Sequence, residues 1–196
     1  MTDASTGQAA RIVRYVVLLS HPTSPMILLT PDGAGWAFPS WEIHEHENWE
    51  SMLLVNRVTR ERLCPSSHAV RALLLGEDHL SGVLVNVYHV ACNDPAWRPA
   101  GGARWFSTAE NAEQALTHDI DRAALVQYLD CIVPDGQTPW YQEEWLAEAE
   151  SWLRDLAVAA GFAPLGEVEQ LRSWQRSAVL KLSTGTGALY LKATPP

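Results

Sequence analysis

Apolar residues follow two rhythms along this chain. Up to about position 107 they come in short, β-branched-rich runs. Arg11–Ser20 (RIVRYVVLLS), Met26–Thr30 (MILLT), Ala69–Leu75, Val83–Ala91 and Arg104–Phe106 read as strands. Trp36–Pro39 and Trp41–Glu47 add an extended stretch of alternating polarity. HPTSP and Pro31-Asp32-Gly33 supply turn chemistry between the first runs. From about Asn48 to Leu63 the period becomes helical, with Met52, Val55 and Val58 on one stripe and Leu54 beside it. Cys64-Pro65 ends that helix. Asp94–Gly102 reads as a loop, and Thr108–Leu116 and Asp119–Cys131 as helices, the second with Leu125, Leu129 and Ile132 at helical spacing.

The rhythm breaks at Val133–Pro139 (VPDGQTP), where two prolines and a glycine suit a linker. The expected organisation is a disordered N-terminus at 1–10, a unit at 11–133, a linker at 134–139 and a second unit at 140–196. The second unit opens with a helix from about Tyr141 to Ala160, whose apolar stripe is expected at Trp145, Ala149, Trp152 and Leu156. Gly161 stands where a left-handed cap would end it. Glu167–Trp174, Ser177–Ser183 and Ala188–Ala193 read as strands, with Thr184-Gly185-Thr186-Gly187 turning between the last two. One helix and three strands make a small core, so this unit reads as incomplete.

Composition narrows the function classes. Charged residues are 19% of the chain and hydrophobic ones 47%, a globular balance. The formal net charge is -9, which disfavours nonspecific binding to nucleic acid or an anionic membrane. No apolar run reaches the roughly 18 residues of a spanning helix. Three widely spaced cysteines, Cys64, Cys92 and Cys131, form neither a disulfide framework nor a CxxC site. The expectation is a cytoplasmic protein with reduced thiols. Nine tryptophans suit either a Trp-rich core or junction, or an aromatic groove.

Trp36-Ala37-Phe38-Pro39-Ser40-Trp41, with Glu47 six residues on and a helix after it, resembles the approach to a Nudix box. The family pattern is Trp-x-Phe-Pro-Gly-Gly and then GX5EX7REUXEEXGU. The resemblance covers roughly residues 11–133 and implies an α/β/α sandwich with a mixed sheet. Laid from position 41, the box keeps Glu47 and Leu63. Trp41 takes its first glycine, Val55 and Asn56 its Arg-Glu pair, Arg57 its next apolar position, Thr59 and Arg60 its Glu-Glu pair, and Arg62 its late glycine. Hydrolysis by that family needs Mg²⁺ or Mn²⁺ held by converging carboxylates. Without them the resemblance implies a ligand-binding or regulatory module. Trp36, Phe38, Trp41, Arg57 and Arg60 are its ligand-cleft candidates, and no catalytic residue beyond Glu47 is marked. The alternative is an active hydrolase of nucleoside diphosphate derivatives with an altered metal site. Glu42, His44 and His46 share one strand face and suit either a Zn²⁺ or Ni²⁺ site or a plain polar face; no metal site is assigned. Arg57, Arg60, Arg62 and Arg71 could receive a phosphate or form a solvated face.

Residues 140–196 look like the N-terminal part of an aminoglycoside phosphotransferase-like, kinase-fold protein. The likeness rests on Trp140, Trp145, Trp152, Gly161, Gly166–Gln170, Trp174, Ser177–Leu180 and Tyr190–Ala193. It implies that Lys192 is the ATP-phosphate lysine of a small antiparallel sheet. Mg²⁺ and ATP are implied only where a complete phosphotransferase is present, since the catalytic carboxylates would come from a C-terminal lobe absent here. The expected partners are a small-molecule or nucleotide-like ligand and that missing lobe.

Overall fold

The computed structural model describes residues 11–45, 52–78, 83–108, 115–132, 138–174 and 176–195. Residues 1–10, Glu47, the helix start at 48–51, most of the expected 108–116 helix and linker positions 133–137 lie outside the described residues.

Strand β1 (Arg11–Ser20) is the axis of the first unit. Its near-continuous apolar run has a physical reason, because both of its faces are covered. Val13, Tyr15, Val17 and Leu19 enter one core cluster, and Val16 and Leu18 enter another. One edge of β1 pairs in parallel with β6 (Val83–Cys92), in the register Val13↔Leu84 to Ser20↔Ala91. Its other edge pairs with β4 (Ser40–Glu45) over Arg11–Val16, then with β2 (Met26–Asp32) at Ser20↔Ile27. β3 (Gly35–Ala37) and β7 (Arg104–Ser107) pair with β2, and β5 (Ser67–Asp78) pairs with β6. The result is a seven-stranded mixed sheet.

A helix covers each face. α1 (Met52–Arg62) buries Met52, Leu54, Val55 and Val58 against the Tyr15 side, as the period predicts. α2 (Asp119–Ile132) buries Ala124, Leu125 and Tyr128 against the Val16 side. Leu129, expected on that stripe, is 37% exposed. The face that meets the sheet is set by Leu125 and Tyr128, one position round the helix.

A short 3-10 turn, Pro139–Tyr141, leads to α3 (Trp145–Ala159). Gly161 caps α3 as expected, with φ +80° and a bond from Phe162 N to Ala157 O of 2.9 Å. The α3 stripe is a correction. Leu146, Ala149, Leu153 and Ala157 are buried, whereas Trp152 is 53% and Leu156 47% exposed. The buried set packs on Val168, Leu180 and Leu182 of a three-stranded antiparallel sheet. Its strands are β8 (Pro164–Trp174), β9 (Ser177–Thr184) and β10 (Gly187–Ala193), in the order β10-β9-β8. The two-residue turn at 185–186 joins the last two, as read from the glycines.

The second sheet docks on the first unit through α1 and β5. Asn56 Nδ2 donates to Gln170 Oε1 at 3.0 Å, and Ser173 Oγ donates to Val70 O at 2.6 Å. Both contacts are buried, where a lost partner strands a polar group. Within the second unit Trp140 is buried and donates its indole N–H to Trp174 O at 2.7 Å, so part of the tryptophan excess serves the packing of this unit.

Candidate functional site

The lead-in residues end at a cavity of about 660 Å³ on the α2 side of the sheet. Ala37, Phe38 and Ser40 line it together with Arg14 and Val16 of β1, Asp32 and His118–Asp121. Gly35 lets the loop before α2 approach β3, because a Cβ there would stand 2.5 Å from Thr117 Cγ2. Thr117 N then donates to Trp36 O at 2.9 Å, and its hydroxyl donates to Asp32 Oδ2 at 2.7 Å. His118 Nε2 lies 3.0 Å from the same carboxylate. Asp121 sits in the first turn of α2 and is buried. Burial pushes its carboxyl above the usual range, although the Phe38 N–H, at 2.9 Å, favours the ionised form. The carboxylate acceptors of Asp32 and Asp121 and the His118 imidazole suit a ligand carrying hydrogen-bond donors.

The sequence-derived ligand candidates do not converge. Phe38 lines this cavity, but its ring is buried in the core. Trp36 packs edge-on against Phe106 at 4.8 Å and lies under Arg104, 5.7 Å from its guanidinium carbon. Trp41 belongs to the core cluster on the opposite face. Arg57 lines a shallow hollow of about 440 Å³ with Glu42, Glu61 and Arg62. Arg60 lines a third space and bonds Ser67 O at 2.8 Å and Glu167 at 3.1 Å. Glu47 and His46 lie outside the described residues. Among the described residues no group of three or more His, Cys, Asp or Glu side chains could hold a metal ion. Lys192 stands exposed on the edge strand β10, opposite Val179.

Arg60's neighbours form a cleft of about 630 Å³ between the first unit and α3, lined by His68, Cys92, Glu143, Glu150 and Arg154. Sequence reasoning did not single out its polar groups, because they meet only through tertiary structure. Ser20 Oγ donates to Glu143 Oε1 at 2.6 Å, and His89 Nε2 lies 3.0 Å from Ser20 Oγ and 3.1 Å from Glu143 Oε1. This trio is not a relay for a nucleophile. Serine and carboxylate share one ring nitrogen, His89 Nδ1 has no partner among the described residues, and Ser20 is buried. It pins α3's approach to the sheet. Burial holds His89 below the usual histidine range and outweighs the opposing Glu143. Burial also disfavours a charged Glu143, but bonds from His89 and Ser20 win and hold its carboxyl low.

No protein-family description matches the chain, and no curated protein matches it. Solved structures do resemble it. A candidate oxidoreductase of Sinorhizobium meliloti 1021 overlays with a TM-score of 0.50 at 13% identity, over 65% of this chain and 42% of that one. The C. elegans Ap4A hydrolase overlays at 0.46 and 13% identity, over 64% of this chain and 99% of that one. The NUDIX domain of Shewanella oneidensis NrtR, solved with ADP ribose, overlays at 0.42 and 11% identity, over 68% and 94%. Identities this low speak to fold and not to chemistry. The mixed sheet between α1 and α2 is an α/β fold shared with the Sinorhizobium structure, and a small antiparallel sheet follows it.

Proposed function

We propose that this chain is a non-hydrolytic Nudix-like module that binds a nucleotide-like ligand, joined to the start of a small-molecule phosphotransferase. The carrying observation is the state of α1. In the register laid from Trp41, the acidic positions fall on Asn56, Thr59 and Arg60. Asn56 and Thr59 are buried, and Asn56 is committed to Ala69 N at 2.6 Å and to Gln170. In that register the pattern's apolar position is the exposed Arg57. Moving the pattern by one residue puts the apolar position on buried Val58 and the acidic ones on Arg57, Arg60 and Glu61. The burial of α1 favours that second register. Either register leaves at most one carboxylate on the helix beside guanidinium groups, too few for a hard cation.

The 660 Å³ cavity at Phe38, His118 and Asp121 is the ligand site of this reading. The test is a pair of measurements. With Mg²⁺ or Mn²⁺, the chain should release no phosphate or nucleoside monophosphate from ADP-ribose, NADH or a dinucleoside polyphosphate. Calorimetry with ADP-ribose should show binding that His118→Ala weakens about tenfold, the equivalent of about 1.4 kcal/mol. Metal-dependent turnover lost on Glu47→Gln would overturn the reading in favour of an altered hydrolase.

The phosphotransferase part of the reading rests on residues 140–196 and the sheet they build. Lys192 would meet ATP phosphates only beside metal-binding carboxylates from a C-terminal lobe. A lone exposed lysine adds on the order of 1 kcal/mol. The chain should therefore bind Mg-ATP no better than millimolar, about 4 kcal/mol, in calorimetry. Micromolar binding that Lys192→Ala weakens, in the 196-residue chain, contradicts this part alone.

A further inference from the structure

Cys64 and Cys92, far apart in sequence, stand together in the fold. Cys64 lies just beyond α1 and Cys92 ends β6. Their Sγ atoms are 3.4 Å apart, and both side chains are buried. Backbone geometry fixes the approach. Ser67 pairs with Cys92 across the β5–β6 ladder, and its hydroxyl donates to Cys64 O at 2.7 Å. Asn93 N donates to Ser66 O at 2.8 Å, which clamps the 64–67 turn onto the end of β6. Both thiols belong to the Tyr15-side core, and Cys92, 2% exposed, is the one that also lines the 630 Å³ cleft.

We propose that Cys64 and Cys92 are an oxidative modification site, closed by a peroxide oxidant to an intramolecular disulfide. In the first step the Cys92 thiolate attacks one peroxide oxygen. An S–O bond forms, the O–O bond breaks, and hydroxide leaves, taking up the thiol's proton as water. In the second step the Cys64 sulfur attacks the Cys92 sulfur. The S–S bond forms, the S–O bond breaks, and the oxygen leaves as water with the Cys64 proton. Two thiols and one peroxide thus give one disulfide and two waters. Burial pushes the Cys64 thiol up to about 12, so it suits the second role, attack on an already activated neighbour. The sulfurs need only close to a bond length of about 2.0 Å. Closure ties the end of α1, and with it the Asn56 and Arg60 contacts, to β6.

The experiment treats the folded native chain and a Cys131→Ser variant with hydrogen peroxide in small molar excess. Free thiols are then alkylated and the chains are digested with trypsin. Peptides 63–71 and 72–104 should appear linked in both proteins and separate after dithiothreitol. The oxidised protein should melt at a higher temperature than the reduced one, and reduction should reverse the shift. Three results overturn the proposal: both thiols are still reduced after peroxide and are alkylated once urea unfolds the chain, Cys92 gains oxygen without linkage, or cross-links form only between chains. The linked peptide is read on the native chain, so no variant need fold for the test to decide.

Discussion

Thr59→Glu is expected to cost several kcal/mol of stability, whereas Arg57→Glu should change it by less than about 1 kcal/mol. Both variants place an acid on α1, so the contrast is one of place. Thr59 is 0% exposed on the face of α1 turned to the sheet. A carboxylate there has no cation to meet it, and an uncompensated buried charge costs roughly 3–5 kcal/mol. That approaches the whole stability of a domain, about 5–15 kcal/mol. Arg57 lies exposed beside Glu61 in the shallow hollow, where a charge change is solvated. Thr59→Val supplies the control. The Thr59 hydroxyl has no hydrogen-bond partner among the described residues, so the isostere should be neutral or stabilising. Urea midpoints of the three variants decide the matter. Equal stability of Thr59→Glu and Arg57→Glu would mean that α1 presents Thr59 to solvent, and the register laid from Trp41 would then stand.

The sequence carried the strands and α1 because their patterns have one solution. A run such as RIVRYVVLLS has no polar face, so it fits only a strand covered on both sides. α3 has two solutions. Its apolar residues fill adjoining arcs, Trp145–Ala149–Trp152–Leu156 and Leu146–Ala149–Leu153–Ala157, which share Ala149. The choice belongs to Val168, Leu180 and Leu182, which lie later in the chain and take the smaller side chains. The ligand candidates scattered for a related reason. Phe38 lies in the link between β3 and β4 and Trp41 within β4, and their side chains pack in clusters on opposite faces of the sheet. Ser20, His89 and Glu143 carry no spacing at all, and neither do Cys64 and Cys92. The first three meet through the parallel β1–β6 pairing and the docking of α3, and the cysteines through the β5–β6 ladder, which no local rhythm records.

Stability should fall on acidification between about pH 6.5 and pH 4, with His68 a principal contributor. Its ring is buried at the floor of the inter-unit cleft, its Nδ1 3.0 Å from Asn93 Oδ1. Burial lowers its pKa from 6.5 to about 4, against the opposing Asn93 bond and the Glu143 charge, while His89 and Arg60 push the same way as burial. In the unfolded chain the ring titrates near 6.5. Between those values the unfolded state binds more protons than the folded one, so stability rises with pH and is lost as pH falls. Full protonation of this one site costs ~3 kcal/mol, and below about pH 4 its contribution is exhausted. His89, also held low by burial, adds loss in the same direction. Glu143 adds more where its depressed carboxyl takes up a proton and gives up the Ser20 and His89 bonds. Asp121 opposes them. Its raised carboxyl is protonated more readily in the folded chain, so acid relieves a cost there. His68, His89 and Glu143 act in one direction and Asp121 and Glu150, both raised by burial, in the other, and the two buried histidines set the expected net acid loss. The check is a series of urea denaturations from pH 7.5 to pH 4.5 on the native chain and on His68→Gln, which retains a donor toward Asn93. The variant's stability should vary less with pH over this range, by about 2–3 kcal/mol. An unchanged slope in His68→Gln would place the buried proton elsewhere and remove His68 from this account.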